Sequence, residues 1–197
     1  MAIASIAFTI LASRLTNENR RIDIFMTKSD QTSPLALALR ERILLLDGAY
    51  GTLMQSLQLN EQDYRGNRFA DHPAALKGNH DVLSLTRPEI VAEAHRSYLR
   101  AGADIIKTNS FTATRITQAD YQLEEEAVAI NAAAAQVARE TADEFSTAGQ
   151  RRFVAGVLGP TTRTASLSPD VNDPSYRNVD FAALSSDYLE AARALMA

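Results

Sequence analysis

The chain has 197 residues, 46% of them hydrophobic and 22% charged, enough for one domain with a buried core. Twenty Lys and Arg against 24 Asp and Glu leave a net charge of -4 with no long run of either sign, which excludes the usual footprint of a nucleic-acid binder. There is no cysteine, so disulfides are excluded. A metal held by this chain alone would depend on three histidines and the carboxylates; no stretch approaches the roughly 20 apolar residues that span a bilayer, so no membrane partner is expected and the setting reads as cytoplasmic.

In chain order, Ala2 to Ala12 is mildly apolar but lacks the basic start and small-x-small cleavage site of a secretory leader. Residues 13–40 mix Thr, Asn, Arg, Ser and Asp without periodicity, so 1–40 is expected to be a poorly ordered extension, with Met26 as an alternative start. Organised structure is expected over 41–197. It opens at Arg42-Ile43-Leu44-Leu45-Leu46-Asp47-Gly48, a short apolar run ended by an acid and a glycine, which suits a strand buried in a parallel sheet. A long excursion punctuated by Gly51, Gly66, Pro73 and Gly78 follows. Thr86-Arg87-Pro88-Glu89 then announces a helix, the Thr hydroxyl placed to accept from the third helical amide while Glu89 reaches back. Ile90, Val91, Ala94, Tyr98 and Ala101 keep helical spacing, and Gly102 is placed for the stop.

Ala103 to Asn109 reads as a second buried strand. Glu124 to Phe145 reads as an Ala-rich helix packing through Val128, Ile130, Val137 and Ala138. Phe153 to Gly159 is a third strand, ended by Pro160, and a helix bearing Phe181, Leu184, Tyr188, Leu189 and Leu195 runs from near Asp180 to the last residue. Strands alternating with helices predict an α/β fold of parallel crossover units. Periodicity leaves two architectures open, a closed eight-unit barrel and an open doubly wound sheet. No Gly-x-Gly-x-x-Gly turn or Lys-bearing phosphate loop follows the first strand.

In either architecture ligands bind beyond the carboxyl ends of the strands, which selects Asp47-Gly48, Thr108-Asn109 and Gly159-Pro160-Thr161. Asp47 offers a carboxylate to an ammonium group, and Gly48 lets a ligand approach the backbone; capping of a turn explains the same pair equally well. Thr108 and Asn109 add a hydroxyl and an amide, though both residues also build turns. His72, His80 and His95 stand eight and fifteen residues apart, match no local metal motif and are assigned to packing or the surface. No Gly-x-Ser-x-Gly elbow is present. Glu124-Glu125-Glu126 complement the positive end of a helix dipole.

Longer blocks carry a family resemblance. Asp47-Gly48-Ala49-Tyr50-Gly51-Thr52, then Tyr64-Arg65-Gly66, Arg68-Phe69-Ala70-Asp71, Leu76-Lys77-Gly78-Asn79 and Ala101-Gly102-Ala103-Asp104-Ile105-Ile106 are followed by Val154 to Thr161 and Arg163 to Pro174. In order and spacing they resemble the homocysteine-binding domain of the homocysteine S-methyltransferase family, and the Arg-Gly and Leu-Lys-Gly-Asn blocks resemble its cobalamin-dependent, methionine-forming branch.

The resemblance implies the first part of a (β/α)8 TIM barrel, incomplete in this chain. It implies zinc held by three cysteine thiolates, expected beyond Ala197, that activates the thiol of homocysteine; a free thiol, with a pKa of about 8.5, is mostly protonated at neutral pH. It implies cobalamin as methyl carrier and folate as methyl source, each on a separate domain of the full-length protein. Asp47 and Gly48 match the family's contacts to the substrate amino end, and Thr108 and Asn109 match residues lining the barrel mouth, with the loop from Pro160 to Pro174 expected to border it. This chain alone is then expected to bind no metal and to transfer no methyl group. The alternatives are a betaine- or S-methylmethionine-dependent member and a half-barrel remnant without catalysis. Ala49 and Tyr50 stand where the family often has Gly and Met, and Thr162 where it has Asn. Lys107 stands where it usually has Glu, which leaves the lysine either reaching solvent or paired with Asp47, where it would compete with a substrate ammonium.

Overall fold

The computed structural model of the protein describes residues 32–197; most of the extension expected at 1–40 lies outside the described residues. Within that stretch, Ser33 caps a helix over Pro34–Glu41 (α1), whose Leu35 is buried against Ile105 and Phe153.

The sheet grows from the three apolar runs. Ile105–Lys107 (β1) pairs in parallel with Phe153–Ala155 (β2), Ile105 opposite Phe153 and Lys107 opposite Ala155. The run at 42–48 joins the other side of β1 through one parallel bridge, Leu46 to Ile105. It is less of a strand than expected, and Ile43, Leu45 and Leu46 are 86%, 57% and 53% exposed. A run apolar on both faces needs cover on both; Leu44 packs against the cluster of Leu35, Ile105 and Phe153, while Ile43, Leu45 and Leu46 stay exposed.

One anionic residue ties the three runs together at their starts. Asp104, buried, receives Arg42 through two bonds of 2.7 Å, the Leu45 amide at 3.0 Å and Arg152 at 3.1 Å. The amide of Phe153 donates to its carbonyl.

The excursion after the first run is ordered by polar ties. It contains helices Tyr50–Ser56 (α2) and Glu61–Arg65 (α3), the latter closed by a capping box between Asn60 and Asp63. Glu61 accepts the amides of Leu76 and Lys77, both at 2.8 Å, while Arg65 donates to Glu61 and to the carbonyls of His72 and Ala74. Gly66 ends α3 at φ +53, with the Thr86 side chain 3.0 Å from where a Cβ would sit. A side chain there would be strained by both conformation and contact.

The helix expected after Pro88 spans Pro88–Arg100 (α5) and buries Val91, Ala94, His95 and Leu99. Its start differs from expectation. Thr86 closes the preceding helix Leu83–Thr86 (α4) and donates to Val82, and the cap position falls to Arg87, whose guanidinium bonds Glu89 and Asp63. Thr86 is still inside α4, one residue before the cap position, so its hydroxyl is not placed to accept from the first amides of α5. The stop is as expected: Gly102 at φ +102, with Ala103 donating to Tyr98 and Gly102 to Leu99, is a Schellman ending.

After β1 come a short helix, Arg115–Gln118 (α6), and a 3-10 turn at Glu124–Glu126. The long helix Ala127–Glu144 (α7) therefore starts later than the acidic triplet suggested. It buries Ile130, Ala134 and Ala138, whereas Val128 is 41% exposed and lies off the packing face. The last helix, Phe181–Met196 (α8), is capped by Asp180 and lies against α7 through Ala191 and Ala194. Its buried Asp187 accepts the amides of Arg115 and Ile116 at the start of α6. Small residues let α7 and α8 approach closely, while Ile106 and Leu99 fill the space beneath, each fully buried side chain stabilising by about 1.5–3 kcal/mol. Among the described residues no helix is long and apolar enough to cross a membrane.

Candidate functional site

Where the three runs end, side chains take over from the backbone ladder. Asp47 still donates its own amide to Ile105, but Lys107's amide is received by the Asp47 carboxylate, Oδ2, at 3.0 Å. On the other seam Thr108 Oγ1 accepts the Val157 amide at 2.9 Å, and Ser110 Oγ bonds both Thr108 and the Val157 carbonyl. Asn109 donates to the His80 carbonyl at 2.8 Å and to Ser84 at 3.2 Å. Asp47 and Thr108 thus close the sheet's upper edge, and Asn109 pins the excursion over it.

Above this edge lies a cavity of about 500 Å³, bounded by Gly48, Tyr50, His80, Asp81, Lys107 and Asn109, with Thr108 and Val157 in its wall. The structure thereby brings Gly48, Thr108 and Asn109 to one space, with the buried Asp47 carboxylate adjoining it through Lys107. Residues 160–174, expected to border the mouth, contribute nothing to its lining; Leu167 and Val171 there are 69% and 93% exposed.

Lys107 decides the electrostatics. Its ammonium stands 3.3 Å from Asp47 Oδ1 and 3.3 Å from the carbonyls of Asp47 and Gly48. Of the two alternatives set by the sequence, the pairing with Asp47 is realised. The contact with Oδ1 has ion-pair distance without hydrogen-bond direction, which leaves that oxygen buried and without a directed donor. Burial raises the Asp47 pKa from its ordinary value, and the Lys107 amide and ammonium partly offset the rise.

Several residues of the site were not singled out from sequence. Asp81 is buried beside the cavity and accepts the Thr112 amide and hydroxyl, both at 2.6 Å; burial pushes its pKa up. His80, assigned to packing or the surface, lines the cavity, bonds Tyr64 through Nδ1 at 2.9 Å and is held below its ordinary pKa by burial. The Tyr50 hydroxyl is buried without a partner, and its ring lies tilted at 39° against His95, 5.6 Å between centroids. The partners of His80 and Asp81 lie 16 and 31 residues away in sequence, so no local motif announces them.

Gly159 is needed for packing. A Cβ there would collide with the Phe111 carbonyl and come within 2.9 Å of the Phe111 ring. Among the described residues no group of three or more His, Cys, Asp or Glu could hold a metal ion, and the chain has no cysteine.

The model of the homocysteine S-methyltransferase family matches residues 44–197. Among solved structures, the chain is similar to the homocysteine methyltransferase MmuM from Escherichia coli in its oxidized form. That likeness has 25% identity and a TM-score of 0.61 over 84% of this chain and 53% of that one. The metallated form of the same enzyme is 24% identical, with a TM-score of 0.59 over 83% of this chain and 54% of that one. The chain spans about half the length of these solved structures.

Proposed function

Because the chain belongs to the homocysteine S-methyltransferase family, we propose that it supplies the amino-acid-binding part of a site that transfers a methyl group to the thiol of homocysteine, forming methionine. The observation that carries this reading is the cavity at the strand ends, with the buried Asp47 carboxylate adjoining it behind Lys107, inside the segment the family model matches. Asp47 receives the substrate ammonium, the Gly48 backbone lies alongside it, and Thr108 and Asn109 shape the wall. A cavity of about 500 Å³ has the size of small-ligand sites. The three parallel runs are the opening part of a (β/α)8 barrel in this reading.

Zinc is the metal the family resemblance implies for the thiol. The residues of this chain do not fit such a site, since thiolate ligands are lacking and no three-residue donor cluster exists among the described residues. Thiol activation is therefore assigned to the part of the fold this chain does not span. Cobalamin and the folate domain go with it. This chain's own residues bind and orient the amino-acid end.

The product of the gene's full reading frame is to be assayed for methionine formation from homocysteine with methylcobalamin, betaine and S-methylmethionine in turn. Methionine from methylcobalamin supports the reading. Methionine from another donor alone keeps methyl transfer and reassigns the donor, and none from any donor overturns methyl transfer.

A further inference from the structure

We infer that Lys107 is a tethered occupant of the ammonium subsite, displaced by the amino group of a ligand and then paired with that ligand's carboxylate, so that the site selects amino-acid zwitterions over simple amines.

The Lys107 ammonium carries three N–H donors and meets three oxygens, Asp47 Oδ1, the Asp47 carbonyl and the Gly48 carbonyl, each at 3.3 Å. That is the environment an ammonium ligand requires. Each distance exceeds the roughly 2.7–2.9 Å of a good charge-assisted bond. The tether explains the misfit. The Lys107 amide is already bonded to Asp47 Oδ2, so its side chain must curl back onto the residue its own backbone touches. A free amino group has no such constraint and can bond Oδ1, which has no directed donor.

The two partners differ in freedom. The Asp47 side chain is 0% exposed and the Lys107 side chain 33% exposed, so the lysine can swing away while the carboxylate stays. Lys107 also lines the cavity, which keeps its released ammonium within reach of the ligand. Exchange with a simple amine replaces one ammonium by another and leaves Lys107 without a partner. A ligand that also carries a carboxylate gives Lys107 a new one, and the balance favours exchange.

The choice of an amino acid as ligand rests on the function proposed above. Two probes without a thiol make the test independent of methyl transfer, which the donor assay reads on its own. L-2-aminobutyrate and propylammonium differ by one carboxylate, and their binding to the full chain can be followed by NMR titration. The wild type should prefer aminobutyrate, and Lys107→Met should bind propylammonium about tenfold tighter and lose the preference; tenfold corresponds to a subsite open about a tenth of the time. In the wild type the Lys107 side-chain nitrogen signal should shift on adding aminobutyrate, a readout independent of whether the variant folds. An unchanged preference in Lys107→Met, an unmoved lysine signal, or no binding of either probe by either protein overturns the inference.

Discussion

Replacing Asp104 by alanine tests how the three apolar runs are held together. The carboxylate is 1% exposed and takes two bonds from Arg42, one from Arg152 and one from the Leu45 amide. The Arg42 side chain is 43% exposed, so its share is screened and small. Arg152 is buried and keeps only the carbonyls of Gly102 and Ala103 for its Nη1, and depriving a buried charge of its partner costs about 3 kcal/mol or more; the Leu45 amide also loses its acceptor, but on a residue 57% exposed it can turn to water. The variant should therefore lose about 3 kcal/mol in urea unfolding at neutral pH, a large part of a typical domain's stability. Hydrogen bonding from Arg42 foremost holds the Asp104 carboxyl well below its ordinary value of 3.8. The folded pKa is lowered, so the stabilisation is complete above that value and drains away as pH falls below it. The gap between wild type and Asp104→Ala should shrink by about 1 kcal/mol between pH 5 and pH 3. A gap below about 1 kcal/mol at neutral pH, or one that grows on acidification, refutes the tie.

Gly159→Ala should destabilise by at least about 2 kcal/mol because the new methyl meets the Phe111 backbone. Gly149→Ala, with nothing within 4 Å, should stay within about 0.5 kcal/mol; equal effects in thermal unfolding would remove the packing argument. His95 is fully buried with neither ring nitrogen bonded, and burial lowers its pKa from 6.5 to about 4. The unfolded chain then binds a proton that the folded one refuses, so the wild type should lose roughly 3 kcal/mol as pH falls from 6.5 to 4. His95→Phe should not, and parallel pH profiles for the two proteins would contradict this. A zinc titration of the purified chain should show no stoichiometric tight binding, given its lack of cysteine; such binding would mean that its own residues build a metal site.

The elements that sequence made legible are those with local causes. Gly102 ends α5 because a positive-φ position was needed one residue past the C-cap Ala101, and the runs around Ile106 and Val154 form the sheet because they are apolar and bounded by breakers. The rule that ligands bind beyond strand ends selected Asp47, Gly48, Thr108 and Asn109, and the last three line the cavity. What stayed hidden depends on distant partners. Asp81 meets Thr112 and Asn109 meets His80 across the excursion, and Thr86 was misjudged because the helix before it was not foreseen. The apolar run at 42–48 reads as a buried strand, yet burial depends on neighbours that no local pattern can report.

The claim on which the account turns is that the cavity at the strand ends receives homocysteine through Asp47. Backbone amide NMR of the full chain titrated with L-homocysteine tests it most directly. The account predicts shifts concentrated at Gly48, Lys107 and Asn109 that disappear in Asp47→Asn. Shifts gathered instead along the outer groove of Leu53 and Ile90, or a titration unchanged by Asp47→Asn, would contradict it.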